Sequence, residues 1–156
     1  MNDAASKVGT QDIVVDEVFP HTPEAIWKTL TTGELIGRWF MQPTGFEPVK
    51  GNRFTFQTKA AGAWDGVIHC QVLEVIPHER LVYAWKGGHE ANIGYGSPLS
   101  TVVTWTLARV ANGTRLRLVH SGFVTPTNDS ALKTMGEGWK KVIRSIGDIT
   151  DERVEE

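Results

Sequence analysis

The sequence predicts an α+β fold, in which a curved antiparallel sheet of six to seven strands lies around one long C-terminal helix. Two short helices follow the first strand. Three observations carry this prediction. From about residue 46 onward, apolar and polar residues alternate with period two in five successive runs. After Ser130 the period changes, and Leu132, Met135, Trp139, Val142, Ile143, Ile146 and Ile149 fall at the three-to-four spacing of an amphipathic helix. Between the first strand and the sheet, His21-Thr22-Pro23-Glu24 has the chemistry of a helix start.

Taken in order, residues 1–10 are small and polar and predict a flexible tail, leaving 11–153 as a single domain. QDIVVDEVF alternates and reads as the first strand, with Ile13, Val15 and Val18 on or near one face. Thr22 suits the N-cap of the first helix, Pro23 its first position, and Glu24 the positive end of its dipole. Ile26, Trp27 and Leu30 recur at helical spacing, and Thr31-Thr32-Gly33 ends that helix. Thr32 is placed to cap a second helix with Glu34 and Leu35 in its first turn.

The five later strands are FTFQTK, GVIHCQVLEVI, RLVYAW, STVVTWTLARV and TRLRLVHSGF, rich in Val, Thr and aromatic residues. AAGAWDG, IPHER, GGHEANIGYGSP and ANG separate them with turn chemistry. No helical pattern interrupts these runs, so the sheet is expected to be an antiparallel meander. The last helix, from Ser130 to about Arg153, would be about 34 Å long, enough to cross a small domain. A twisted sheet cannot lie flat against so long a straight rod. A gap should remain between them, with the two short helices closing one end.

Composition bounds the partners. The chain has 156 residues, 40% of them hydrophobic and 22% charged, near the average for one globular domain. A formal net charge of −2 with scattered Lys and Arg argues against nucleic acid, whose phosphates need clustered cations. No apolar run approaches the roughly 18 residues of a membrane span, and MNDAASKVGTQD lacks a signal-peptide core. The lone Cys70 cannot form an intramolecular disulfide. Together these predict a cytoplasmic protein with no membrane insertion.

The residues expected to face the gap follow from the two periods. Leu81, Tyr83 and Trp85 share a strand face, as do Val103, Trp105 and Leu107. In the last strand Arg115 and Arg117 belong in water, which turns Leu116, Leu118 and His120 inward. Trp27, Trp39, Phe40 and Trp139 come from helices that must face the sheet. The expected ligand-binding residues are Trp39, Phe40, Met41, Tyr83, Trp85, Trp105, His120, Met135 and Trp139. His120 is the expected polar contact, set against the alternative of a buried structural histidine. Gly136 and Gly138 each cost about 1 kcal/mol relative to Ala within a helix, so a close approach, a bend or a frayed start should account for them.

Catalytic and metal signatures do not assemble. His89-Glu90 opens like a zinc helix motif, but Ile93 occupies the second ligand position. No C-x-x-C, H-x-H or G-x-S-x-G spacing occurs. Neither a metal nor another cofactor is expected.

Several short motifs together resemble one family. They are Pro23 to Trp27, Leu35 or Ile36 to Phe40, Gly45-Phe46, Gly66-x-Ile68 leading to Val72-Leu73-Glu74-Val75, Pro77 to Trp85, Gly113 to Phe123, and Gly138-Trp139. Their order over about residues 12–150 is similar to the Aha1-type branch (activator of Hsp90 ATPase) of the START/Bet v 1, or SRPBCC, superfamily. The resemblance implies a helix-grip fold with a cavity between sheet and helix. It also brings in relatives that bind lipids, sterols or polyketides, some that are enzymes, and a co-chaperone of Hsp90. Three functions therefore compete. The leading one is non-catalytic binding of a small hydrophobic or aromatic molecule. The second is a cyclase or dehydratase using His120, with Tyr83 or Glu47. The third is a co-chaperone-type interaction domain.

Overall fold

The computed structural model describes residues 9–155. Strand β1 (Gly9–Phe19) leads into helix α1 (Pro23–Thr31) and helix α2 (Gly33–Trp39). Strands β2 (Arg53–Gln57), β3 (Val67–Ile76), β4 (Arg80–Gly87), β5 (Leu99–Val110) and β6 (Gly113–Thr125) follow, and helix α3 (Asp129–Glu155) ends the chain. The six strands form one antiparallel sheet in the order β1-β6-β5-β4-β3-β2. This is the helix-grip arrangement, at the lower of the two expected strand counts.

The local chemistry explains the boundaries. Thr22 Oγ1 accepts the backbone N–H of Ala25 at 3.2 Å, so it caps α1 as its sequence suggests. Thr32 behaves differently from expectation. It precedes α2 without a side-chain cap, because its hydroxyl donates at 2.6 Å to the Lys28 carbonyl and finishes α1 instead. Gly9 and Thr10, expected in the tail, pair with Thr125 and Val124 as the start of β1. Residues 1–8 of that expected tail lie outside the described residues.

The β1 face is corrected by one position. Ile13 and Phe19 are buried with Val15 half-buried between them, whereas Val18 is 50% exposed on the outer face. The alternation in β3 is broken for a stated reason. Ile68, Cys70 and Val72 point inward, a register shift intervenes between Val72 and Glu74, and Val75 beyond it is half-buried. His69 consequently faces outward and is exposed.

Helix α3 crosses the inner face of the sheet, with Trp139, Ile143, Ile146 and Ile149 buried along it. Its C-terminal half is fixed to α1. Thr29 and Thr150 share a buried hydroxyl hydrogen bond of 2.8 Å, and the Arg153 guanidinium donates to the Ala25 carbonyl at 2.7 Å. Among the described residues no helix is long and apolar enough to cross a membrane.

Candidate functional site

The two ends of α3 meet the sheet differently. The C-terminal half packs against β1, β6 and α1, and the N-terminal half stands away from β3 and β4. Between them lies a cavity of about 280 Å³, open to solvent on one side. Phe40 and Met41, the two residues after α2, form one wall. Ile68 and Trp85 rise from the sheet, and Met135, Gly138, Trp139 and Val142 descend from the helix. The segments around Thr58–Trp64 and Gly87–Leu99 frame the mouth. Asn92 ties these two segments together by accepting the Ala63 N–H at 3.0 Å and donating to the Ala61 carbonyl at 2.8 Å. Tyr95 adds a third tie, its hydroxyl donating to the Lys59 carbonyl at 2.7 Å.

Among the described residues the lining contains no charged side chain. Its deep part is aromatic: Phe40 stacks on Trp139 with centroids 5.2 Å apart and meets Trp85 at 5.9 Å. The residues of the wall that carry hydroxyls include Thr58, Ser97, Ser130 and Thr134. Such a surface can surround an uncharged, mainly apolar molecule and would leave a carboxylate or phosphate without a counter-charge.

Of the nine residues expected to bind ligand, the structure places Phe40, Met41, Trp85, Met135 and Trp139 in the cavity wall, and Trp39, Tyr83, Trp105 and His120 behind it. Each of these four is engaged elsewhere. Trp39 is buried and donates its indole N–H to the Thr29 carbonyl at 2.9 Å, so it anchors α2 to α1. Trp105 is wholly buried and donates to the Tyr83 hydroxyl at 3.1 Å, and burial pushes the ionisation of that phenol up.

His120 lies furthest from the expected role of a polar ligand contact, and closest to the alternative of a buried structural histidine. The Thr101 hydroxyl has one proton, which it donates to the Trp85 carbonyl at 2.9 Å. Its oxygen must then accept from His120 Nε2–H at 2.7 Å. His120 Nδ1 is left as an acceptor and takes the indole N–H of Trp139 at 3.0 Å. The chain of bonds thus selects the neutral Nε2–H tautomer and occupies both ring nitrogens. Burial lowers the imidazole pKa to about 3. The ring offers the cavity no polar contact and stands as a structural histidine that orients Trp139.

Among the described residues no second titratable group joins His120 to form an acid–base pair. Tyr83 is spent on Trp105, and Glu47 is exposed, in a turn pinned by Asn52. Burial pushes the Cys70 thiol up, away from the range of a nucleophile. Among the described residues no group of three or more His, Cys, Asp or Glu is placed to hold a metal ion.

Sequence reasoning missed part of the wall. Trp64 was not among the expected residues, though a Trp within a Gly/Ala-rich turn is a signal of a side chain folded back over something. Its indole N–H closes onto the Val67 carbonyl at 3.2 Å, and its ring meets Tyr95 at 5.7 Å. The sequence leaves Gly138 as the site of a close approach, a bend or a frayed helix start. A Cβ there would meet no atom within 4 Å, and the residue lines the cavity, so close packing does not account for it.

A helix-grip domain with an uncharged cavity between sheet and helix is a defined class of protein. The chain belongs to the family described as "Activator of Hsp90 ATPase homolog 1-like protein", whose sequence profile matches residues 20–151. Among solved structures it is similar to protein MLL2253 from Mesorhizobium loti, with 33% identity and a TM-score of 0.79 over 91% of this chain and 98% of that one. It shares its fold with the Aha1 dimer from Colwellia psychrerythraea, at 20% identity and a TM-score of 0.69 over 88% and 94% of the two chains. It likewise shares it with CalU16 from Micromonospora echinospora, at 21% identity and a TM-score of 0.69 over 94% and 80%. No curated protein matches the sequence.

Proposed function

We propose that the protein binds a small, uncharged, largely apolar molecule in the cavity between α3 and the β3–β4 part of the sheet, without catalysis. The observation that carries this reading is the wall itself, in which Phe40, Trp85 and Trp139 form an aromatic floor and no side chain is ionised. The volume of about 280 Å³ lies just below the roughly 300–1,000 Å³ of typical ligand pockets, and suits a compact ring system over a long lipid chain. The absence of any paired titratable groups in the wall favours binding over proton-transfer chemistry.

The test is a panel of neutral fused-ring aromatics followed by thermal unfolding and tryptophan fluorescence. A ligand at one hundred times its Kd adds about 2.7 kcal/mol. For a chain of this length that is a rise in Tm of about 5–10 °C. Mass spectrometry of the native protein should show a co-purifying neutral molecule. If no member of the panel shifts Tm or fluorescence, the cavity is not a binding site. Family membership would then favour the second reading, a module that engages an Hsp90-type chaperone through its surface.

A further inference from the structure

Six tryptophans bring six indole donors, and the fold disposes of most of them. Trp39, Trp64, Trp105 and Trp139 each donate to a protein acceptor. Trp27, which is not part of the cavity wall, and Trp85 do not. The Trp85 Nε1–H has no partner among the described residues, although the side chain is only 2% exposed. It is not sealed inside the core either. The only fully enclosed side-chain nitrogen or oxygen without a partner among the described residues is Arg153 Nε, so the Trp85 nitrogen keeps some accessible surface. Trp85 lies in the middle of β4, paired with Cys70 on one side and Thr101 on the other, and its inward face walls the cavity. Trp85 is a residue of the cavity wall, so that surface is assigned to the cavity.

We infer that the indole N–H of Trp85 is the hydrogen-bond donor in the deep aromatic part of the cavity, and that the ligand is an aromatic molecule presenting a neutral oxygen acceptor to it. The inference rests on the binding reading above and adds the polar contact that His120 cannot supply. A buried N–H left without a partner costs free energy, so an apolar ligand that fills the cavity strands it. A ligand with a carbonyl or ether oxygen satisfies it. A donor-only group gains nothing there, and an anion would lack a counter-charge in this wall. Trp64 provides the internal control: it lines the same cavity, but its N–H is already committed to Val67.

The experiment compares two probes of one shape, 2-acetylnaphthalene and 2-isopropylnaphthalene, by fluorescence titration of the full chain. Trp85→Phe keeps an aromatic wall and removes the N–H. It should weaken the ketone by about three- to tenfold relative to the hydrocarbon. Trp64→Phe should change both probes by the same factor. Should Trp85→Phe fold poorly, the wild-type protein still decides the matter through its indole N–H resonances. The Trp85 signal should move downfield with the ketone and stay in place with the hydrocarbon. Binding of both probes with no difference between them in the variant, or with no selective movement of the Trp85 resonance, overturns the inference and leaves the binding reading intact. If neither probe nor any other neutral aromatic binds the wild type, both fall together.

Discussion

Two glycines on the same helix show how differently its two halves are used. Gly147 lies in the C-terminal half of α3, where a Cβ would run into the ring of Phe19. There the missing side chain lets helix and strand approach closely, and Ile143, Ile146 and Ile149 fill what remains. Gly138 lies nine residues earlier, and a Cβ there would touch nothing. Both residues forgo about 1 kcal/mol of helix propensity relative to Ala. At Gly147 tight packing offsets that loss. At Gly138 no contact within 4 Å offsets it. One end of this domain is built for stability and the other for space.

The residue that joins the two halves should show the largest effect. Trp139 contacts the cavity on one side and is 2% exposed, packed edge-on against Trp85 and Trp105. Trp139→Ala removes that packing and strands His120 Nδ1, so a loss of about 3–5 kcal/mol is expected from urea unfolding. A variant within a degree of the wild-type Tm would place Trp139 outside the core.

The glycines themselves give the next test, because one substitution should act with opposite signs. Gly147→Ala forces a shift of Phe19 and should cost about 1–3 kcal/mol through overpacking, more than the helix gains. Gly138→Ala should stabilise by about 1 kcal/mol. Equal signs at the two positions would mean that the helix halves are packed alike, and would remove the contrast.

His120 adds a pH dependence that belongs to the packed side. Its folded pKa of about 3 lies below the ordinary 6.5. The ring is enclosed by Trp85, Phe123 and Trp139, and its two nitrogen partners are themselves neutral. Below pH 6.5 the unfolded chain therefore takes up a proton that the folded chain refuses. Stability is fully present above that pH and falls by up to about 1.4 kcal/mol for each unit towards pH 3. Urea unfolding at pH 6 and pH 5 reads the slope before most carboxylates titrate. No change across that interval would mean that the folded ring accepts a proton.

These contrasts also explain what was legible beforehand. Strand and helix periods were legible because most inward positions on β4, β5 and β6 follow a two-residue repeat, Phe123 falling out of phase beyond His120. Trp85, Trp105 and His120 all point inward as their alternation requires. Depth was not legible. Period two says which face a residue takes and nothing of whether that face is packed or hollow. Trp105 and Trp85 share a face, yet one is core and the other is wall. The engagement of His120 was hidden for a related reason. Its two partners are 19 residues away in opposite directions along the chain, and only the fold brings Thr101 and Trp139 together around it.

The smallest expected effect is the one that tests the hollow end most directly. Met135 and Ile146 lie on the same helix with similar apolar volume, but Met135 is half-buried in the cavity wall and Ile146 is fully buried. Truncating a residue in a packed core removes its transfer free energy and also opens a cavity, and Ile146→Ala should cost about 2–5 kcal/mol. At Met135 a cavity already exists, so the second contribution largely vanishes. The half-exposed side chain also has less apolar surface to return to water. Met135→Ala should therefore cost about 1 kcal/mol or less, since only part of a buried side chain's roughly 1.5–3 kcal/mol is at stake. The enlarged cavity should accept a bulkier neutral aromatic than the wild type does, which fluorescence titration would read directly. A cost at Met135 equal to that at Ile146 would show that the space beside it closes up in solution, and the domain would then be packed from end to end.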